Sequence, residues 1–290
     1  MAQKLADPLR PLWDFDDLDG SEQRFRALLE QVTTDEARAE VLAQLARVQG
    51  LRGRFGEGER LLREAEAIAG SSLIARARIH LERGRLHRSS GDESGAWPWF
   101  ESAFAVSLDA DEHVLASDAA HMAALVAPDH AGMLDWTRRG IDIATRSEHA
   151  QVRHWLGPLL NNLGWAYYET GDHVLALEAF QDALSAREEF PEERDEIEIA
   201  RYAVAKTLRA LGRPGEAATL LEQAVSWARS EGKPDGWFHE ELAEDYAALG
   251  QEAEAREQAR LALPLLLEAD GSFEADRERA DRLRRLAASA

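Results

Sequence analysis

The chain has 290 residues, and 45% of them are apolar, so it can bury a core and is not a disordered acidic protein. It contains no cysteine, which excludes disulfide bonds and thiolate metal sites and fits a reducing cytoplasm. Its net charge of −20 disfavours nucleic acid and anionic lipid surfaces as partners, whereas a basic or amphoteric protein partner is electrostatically easier.

The first twenty residues lack the basic start and apolar centre of a signal peptide, and no apolar run is long enough to span a bilayer. We therefore expect a cytoplasmic chain without a membrane partner. Residues 1–20 are interpreted as an acidic, aromatic leader, and a first helix is expected over Ser21–Val32.

An internal repeat dominates the rest of the sequence. Its clearest copy is Leu159–Glu188, in which small and bulky residues stand at fixed offsets: Gly164, Tyr167, Gly171, Ala176, Phe180 and Ala183. The same offsets recur over Ala46–Ala65, Gly84–Phe100, Ala205–Ala224 and Ala243–Ala262, and a degenerate copy covers Ser117–Arg146. The pattern predicts helical hairpins. The first helix has a small residue where its mate crosses, glycine closes the turn, and the second helix buries an Ala–large–Ala stripe.

This ladder resembles the tetratricopeptide repeat, although 38 residues separate Gly53 from Gly91, more than the minimal repeat of about 34. The resemblance implies an all-α, tetratricopeptide-like α–α superhelix, a solenoid of about six to seven hairpins over residues 21–271 with a capping helix over 272–290. The stretches DAAHMAALVAP, WLGPLLNNLGWAYYETG, ARYAVAKTLRALGR and HEELAEDYAALGQ look like a group of uncharacterised bacterial tetratricopeptide proteins. That resemblance implies a fold and no established activity.

No catalytic motif accompanies the repeats. The run from His239 to Ala243 begins like a zincin helix, but Ala243 stands where the second histidine should be. There is no Walker-type loop and no G-x-S-x-G elbow. His121 is interpreted as a packed or hydrogen-bonded histidine rather than a metal ligand. We predict no enzymatic activity, no cofactor and no metal.

A binding surface is predicted on the concave side, because first helices line that side in tetratricopeptide arrays. The residues expected to face it are Arg85, Arg88, His121, Asn161, Asn162, Trp165, Tyr168, Tyr202, Lys206, Arg209 and Glu241. In this interpretation an asparagine bonds a peptide backbone, aromatic rings cover apolar side chains, and Lys206 or Arg209 pairs with a ligand carboxylate. The alternative is that the two rings Trp165 and Tyr168 pack between adjacent first helices and that Asn161 or Asn162 is merely exposed.

The resemblance extends to one residue of the site. Peptide-binding tetratricopeptide proteins use an inward asparagine at the position of Asn162. It does not extend to the chaperone-tail carboxylate clamp, since Ile199 and Ala203 stand where that clamp needs Lys and Arg.

The leading functional hypothesis is a non-enzymatic scaffold or adaptor that binds an extended peptide or protein segment. A regulatory sensor of a small ligand or signalling peptide is one alternative, and a self-assembling structural subunit is another. The sequence leaves the oligomeric state open.

Overall fold

The computed structural model describes residues 7–288, and over that range it contains helices and no β-strand. The chain divides into two compact units, Met1–Leu159 and Leu160–Ala290, here called unit 1 and unit 2. The predicted all-α class with stacked helical hairpins is confirmed. The division near residue 160 was not predicted.

Unit 1 begins with a short 3₁₀ turn, Arg10–Leu12, followed by helices in chain order. They are α1 (Leu18–Gln31), α2 (Asp35–Leu51), α3 (Phe55–Ile68), α4 (Leu73–Ser89), α5 (Glu93–Asp109), α6 (His113–Leu125), α7 (His130–Thr145) and the single turn α8 (Ala150–Arg153). The hairpins are α2–α3, α4–α5 and α6–α7, and the first helices α2, α4 and α6 also contact one another in that order.

Helix α9 (Leu156–Glu169) begins at the end of unit 1, and most of it belongs to unit 2. It is followed by α10 (His173–Glu188), α11 (Arg194–Ala210), α12 (Pro214–Ser230), α13 (Gly236–Ala248), α14 (Glu252–Ala269) and α15 (Arg277–Ala288). The hairpins are α9–α10, α11–α12 and α13–α14, and α15 packs against α14. Six hairpins therefore lie within residues 7–288.

The small residues of the repeat sit where the sequence pattern placed them. A Cβ atom added to Gly84 would lie 2.5 Å from the ring of Phe100, and one added to Gly164 would lie 2.5 Å from the ring of Phe180. The predicted crossing of a first-helix glycine by a second-helix phenylalanine is therefore confirmed in both units. Ala176 and Ala183 are buried as expected. The five turn glycines have φ values between 71° and 87°: Gly53, Gly91, Gly171, Gly212 and Gly250.

Two helix ends differ from the sequence-based expectation. The first helix begins at Leu18 rather than Ser21, because the Asp17 carboxylate accepts a hydrogen bond from the Gly20 amide and caps the helix earlier. The last helix begins at Arg277 rather than Ser272. Residues 1–6 of the expected leader and 289–290 of the expected cap lie outside the described residues.

The segment from Asp7 to Asp17 packs onto the helices of unit 1. Leu9 is buried in the core cluster that contains α2 and α3 side chains. The Trp13 indole donates a hydrogen bond to Gln44 of α2 at 2.6 Å, and its ring lies 5.0 Å from that of Phe25. Arg78 of α4 donates two hydrogen bonds to the Asp7 carboxylate, at 2.6 and 3.0 Å. This part of the leader is therefore structural.

Candidate functional site

The first-helix face of each unit, meaning the side on which successive first helices contact one another, is joined by ion pairs between helices. In unit 1, Arg78 of α4 pairs with Glu40 of α2 at 2.8 Å. Arg85 of α4 pairs with Glu82 on its own helix at 2.6 Å and with Asp118 of α6 at 2.5 Å. The guanidinium groups of Arg78 and Arg85 are thus paired with carboxylates of the same chain.

Positive charge nevertheless exceeds negative charge at one place on this face. Arg47 of α2 lies 3.9 Å from Glu82, a carboxylate already bonded to Arg85. Burial, together with the neighbouring charge of Arg85, lowers the pKa of Arg47 to about 10. Three guanidinium groups, those of Arg47, Arg85 and Arg88, therefore stand near two carboxylates, those of Glu82 and Asp118.

A pocket of about 270 Å³ opens at this place, and we call it the unit 1 pocket. It is bounded by the last turns of α2 and α4, by α6, and by Trp155 in the turn before α9. The residues lining it are Arg47, Gly50, Leu51, Arg85, Leu86, Arg88, Ser89, Asp118, His121, Met122 and Trp155. The Trp155 ring lies 5.6 Å from the imidazole of His121. Three predicted site residues, Arg85, Arg88 and His121, therefore meet here.

In unit 2 the predicted ligand-binding cations are already engaged by a buried carboxylate. Glu241 of α13 is 2% exposed, and it accepts hydrogen bonds at 2.7 Å from Lys206 Nζ and from Arg209 Nε of α11. Burial alone would raise the pKa of Glu241, but the two cations hold it below its usual value. Both cations are therefore bonded to a carboxylate of the same chain, and a ligand carboxylate at Lys206 or Arg209 would share them with Glu241.

A second carboxyl group lies beside this cluster without such partners. Asp245 of α13 is fully buried, and neither of its oxygens has a hydrogen-bond partner among residues 7–288. Its nearest cation is Arg209, whose Nε lies 3.6 Å from Oδ1. Burial and the charge of Glu241 raise the pKa of Asp245 to about 8. The group is therefore mostly neutral at pH 7.

The aromatic residues of the predicted site are half-buried on α9 and α11. The Trp165 ring lies 5.5 Å from Tyr168 and 5.1 Å from Phe180, in edge-to-face geometry, and it packs against the unit 2 core. Tyr202 lies 6.0 Å from Phe238, with Lys206 Nζ 5.6 Å from its ring. Each of these rings packs against a neighbouring ring and remains partly exposed. Asn161 and Asn162 are also half-buried.

Sequence reasoning missed Trp155, Arg47 and Met122, which complete the unit 1 pocket. One available signal was the spacing of opposite charges. Arg85 and Asp118 are 33 positions apart, and Arg209 and Glu241 are 32 apart, close to one repeat. Such spacing places two side chains on neighbouring first helices. Nothing in the sequence around Trp155 indicated that α8 would be a single turn or that the Trp155 ring would lie beside α6.

Within residues 7–288 no group of three or more His, Cys, Asp and Glu side chains is arranged to hold a metal ion. His239, which opened the zincin-like run, instead faces Gln258 at 2.7 Å. No helix in the same range has the length and apolar character needed to cross a membrane.

Comparison with known proteins supports the repeat assignment. Tetratricopeptide repeat models match residues 39–64, 159–189, 199–223 and 236–260. No curated protein matches the sequence significantly.

Solved structures share the fold at low sequence identity. The apo form of RapI has a TM-score of 0.73 and 11% identity, over 96% of this chain and 79% of that one. The apo quorum sensor NprR from B. thuringiensis has a TM-score of 0.61 and 14% identity, over 96% and 85%. NprR in complex with its cognate peptide NprX has a TM-score of 0.55 and 16% identity, over 97% and 80%. With these matches and this architecture, the chain contains tetratricopeptide repeats and has a tetratricopeptide-like helical fold.

Proposed function

We propose that this protein is a non-enzymatic binding module that holds an extended peptide or protein segment against the first-helix face of unit 2. The observation that carries the proposal is the row of half-buried aromatic rings on α9 and α11, Trp165, Tyr168 and Tyr202. Each ring is fixed by a neighbouring ring, so little side-chain entropy is lost when a ligand covers its accessible side.

The polar surroundings suit a peptide more than a purely apolar ligand. Asn161 and Asn162 lie one turn before Trp165 on α9, and an amide side chain can both donate to and accept from a peptide backbone. Lys206 and Arg209 share the single carboxylate of Glu241, and they contribute through their aliphatic stems and remaining N–H groups. The peptide complex of NprR, which has the same fold, is consistent with this use of the architecture.

The test is a selection of displayed random peptides on the whole chain, followed by affinity measurement for the enriched sequences. We expect Tyr168→Ala to weaken binding about thirtyfold, because a hot-spot residue contributes about 2 kcal/mol or more. The matched control is Tyr246→Ala, since that hydroxyl bonds Glu222 of α12 and so faces the second helices. Circular dichroism melts of both variants establish that the fold is kept.

Equal binding by wild type and Tyr168→Ala, or equal loss in Tyr246→Ala, would contradict the proposal. Two further outcomes would favour the alternatives. A large change in small-angle scattering on adding the peptide would indicate a sensor, and a mass that rises with protein concentration would indicate a self-assembling subunit.

A further inference from the structure

The unit 1 pocket has a charge surplus that the chain itself does not neutralise. Arg88, at the end of α4, is exposed and makes no side-chain ion pair or hydrogen bond with the described residues. Arg85 is held between Glu82 and Asp118, and Arg47 has no carboxylate of its own. Although the net charge of the chain is −20, the one unbalanced guanidinium charge of this pocket favours an anion.

The helix ends around the pocket limit the charge of that anion. Helices α2 and α4 both end here, and a helix C-terminus carries a partial charge of about −0.5. The turns reduce this field, because the Gly53 amide donates to the Gly50 carbonyl at 2.9 Å and the Gly91 amide donates to the Arg88 carbonyl at 3.0 Å. With Asp118 also in the wall, a dianion such as phosphate is disfavoured and a monoanion is favoured.

The remaining walls of the pocket are apolar and aromatic. Trp155, Met122, Leu51 and Leu86 contribute the apolar surface, and Leu51 is 50% exposed. A volume of about 270 Å³ lies at the small end of ligand pockets, which are commonly about 300–1,000 Å³. The ligand that fills it is therefore a small ring with one charged group rather than a whole peptide.

We propose that the unit 1 pocket binds a small carboxylate that carries an aromatic ring, either as a free acid or as the C-terminal residue of a peptide. The carboxylate bonds the guanidinium of Arg88, whose two parallel N–H groups match its oxygens. The ring packs on Trp155 and Met122. This site goes beyond the proposed function, because it lies in unit 1 and uses none of the aromatic residues of α9 and α11.

Methionine labelling gives a site-specific test. The chain has three methionines, Met1, Met122 and Met133, and of the two within residues 7–288 only Met122 lines the pocket. In ¹³C-methyl methionine spectra of the whole chain, phenylacetate should shift the Met122 signal by ring currents, with a Kd of about 1 mM or tighter. The neutral isostere 2-phenylacetamide and the ringless acid acetate should each bind at least about tenfold more weakly. The Met133 signal reports that the fold is unchanged.

The variant pair is Arg88→Gln and Arg63→Gln. Both arginines are exposed, but Arg63 lies on α3, outside the pocket. Arg88→Gln should weaken phenylacetate binding about tenfold or more, and Arg63→Gln should leave it unchanged. Equal binding of acid and amide, equal loss in both variants, wild-type affinity in Arg88→Gln, or no shift of Met122 at roughly 10 mM phenylacetate would overturn the proposal.

A second arm distinguishes the two sources of the carboxylate. A short peptide ending in Phe is compared in its free-acid and amidated forms. A shift of Met122 by the acid form alone assigns the pocket to a peptide C-terminus, and a shift by phenylacetate without either peptide assigns it to a free acid. Tyr168→Ala should not alter either result. A failure of ligand binding in the unit 1 pocket can therefore be distinguished from a failure of peptide binding by unit 2.

Discussion

The buried carboxyl group of Asp245 makes the stability of unit 2 depend on pH in a predictable direction. Its pKa is about 8 in the folded chain, against 3.8 for the unperturbed group. Between these values the folded state holds a proton that the unfolded state releases. The free energy of unfolding therefore falls as pH rises through this window, and the contribution is fully present only below the unfolded pKa.

The magnitude follows from the proton count. One extra proton in the folded state gives a slope of up to about 1.4 kcal/mol per pH unit. Between pH 5 and pH 7 the contribution of Asp245 should thus fall by up to about 3 kcal/mol. The substitution Asp245→Asn keeps the shape and removes the titration, so the variant should gain stability relative to wild type as pH rises.

The assay is urea denaturation followed by circular dichroism at pH 5, 6, 7 and 8 on wild type and Asp245→Asn. The control is Asp281→Asn, whose side chain is 61% exposed on α15 and is hydrated in both states. Equal m-values are required so that the free energies can be compared. A difference between wild type and Asp245→Asn that stays constant from pH 5 to pH 7 would refute the reasoning, as would the same slope in the control.

Three further substitutions test the packing and pairing described above. Gly84→Ala should cost about 1–3 kcal/mol of unfolding free energy, because the added methyl group meets the ring of Phe100, whereas Gly56→Ala, which has open space around it on α3, should stabilise the chain by about 0.5–1 kcal/mol. Denaturant titrations in which Gly84→Ala and Gly56→Ala change the free energy of unfolding in the same direction would contradict this prediction. Glu241→Ala should cost about 3 kcal/mol, because Arg209 and its neighbouring lysine lose their buried partner. A melting temperature equal to that of wild type would place this cluster outside the stabilising contacts.

The fold could be predicted because its determinants are local. A glycine such as Gly164 and the phenylalanine that crosses it, Phe180, are 16 residues apart in one hairpin, and the same offset recurs in Gly84 and Phe100. A hairpin of this kind imposes its small-and-large pattern on the sequence. Helix termini were less certain, since a single capping group such as Asp17 moves a start by three residues.

The candidate site was harder to predict because its charges pair between hairpins. Helical periodicity places Arg209 on the first-helix face but does not indicate that Glu241 accepts a hydrogen bond from it there. A sequence shows that a side chain is charged, and only the packing of neighbouring helices decides whether that charge is left for a ligand. Arg88 and Arg85 illustrate the difference, because they lie less than one turn apart and, among the described residues, only Arg85 is paired.

The attachment of the leader to unit 1 has a practical consequence for how fragments of this protein are designed. A fragment that starts at residue 39, where the first matched repeat begins, would lose Asp7, one of the two carboxylate partners of Arg78, and the indole that bonds Gln44. It would also leave the space of Leu9 in the core empty. The loss of one carboxylate partner of a buried cation destabilises a domain, and an unfilled cavity costs about 2–5 kcal/mol more. Expression tags and truncations should therefore leave Asp7 and everything after it in place.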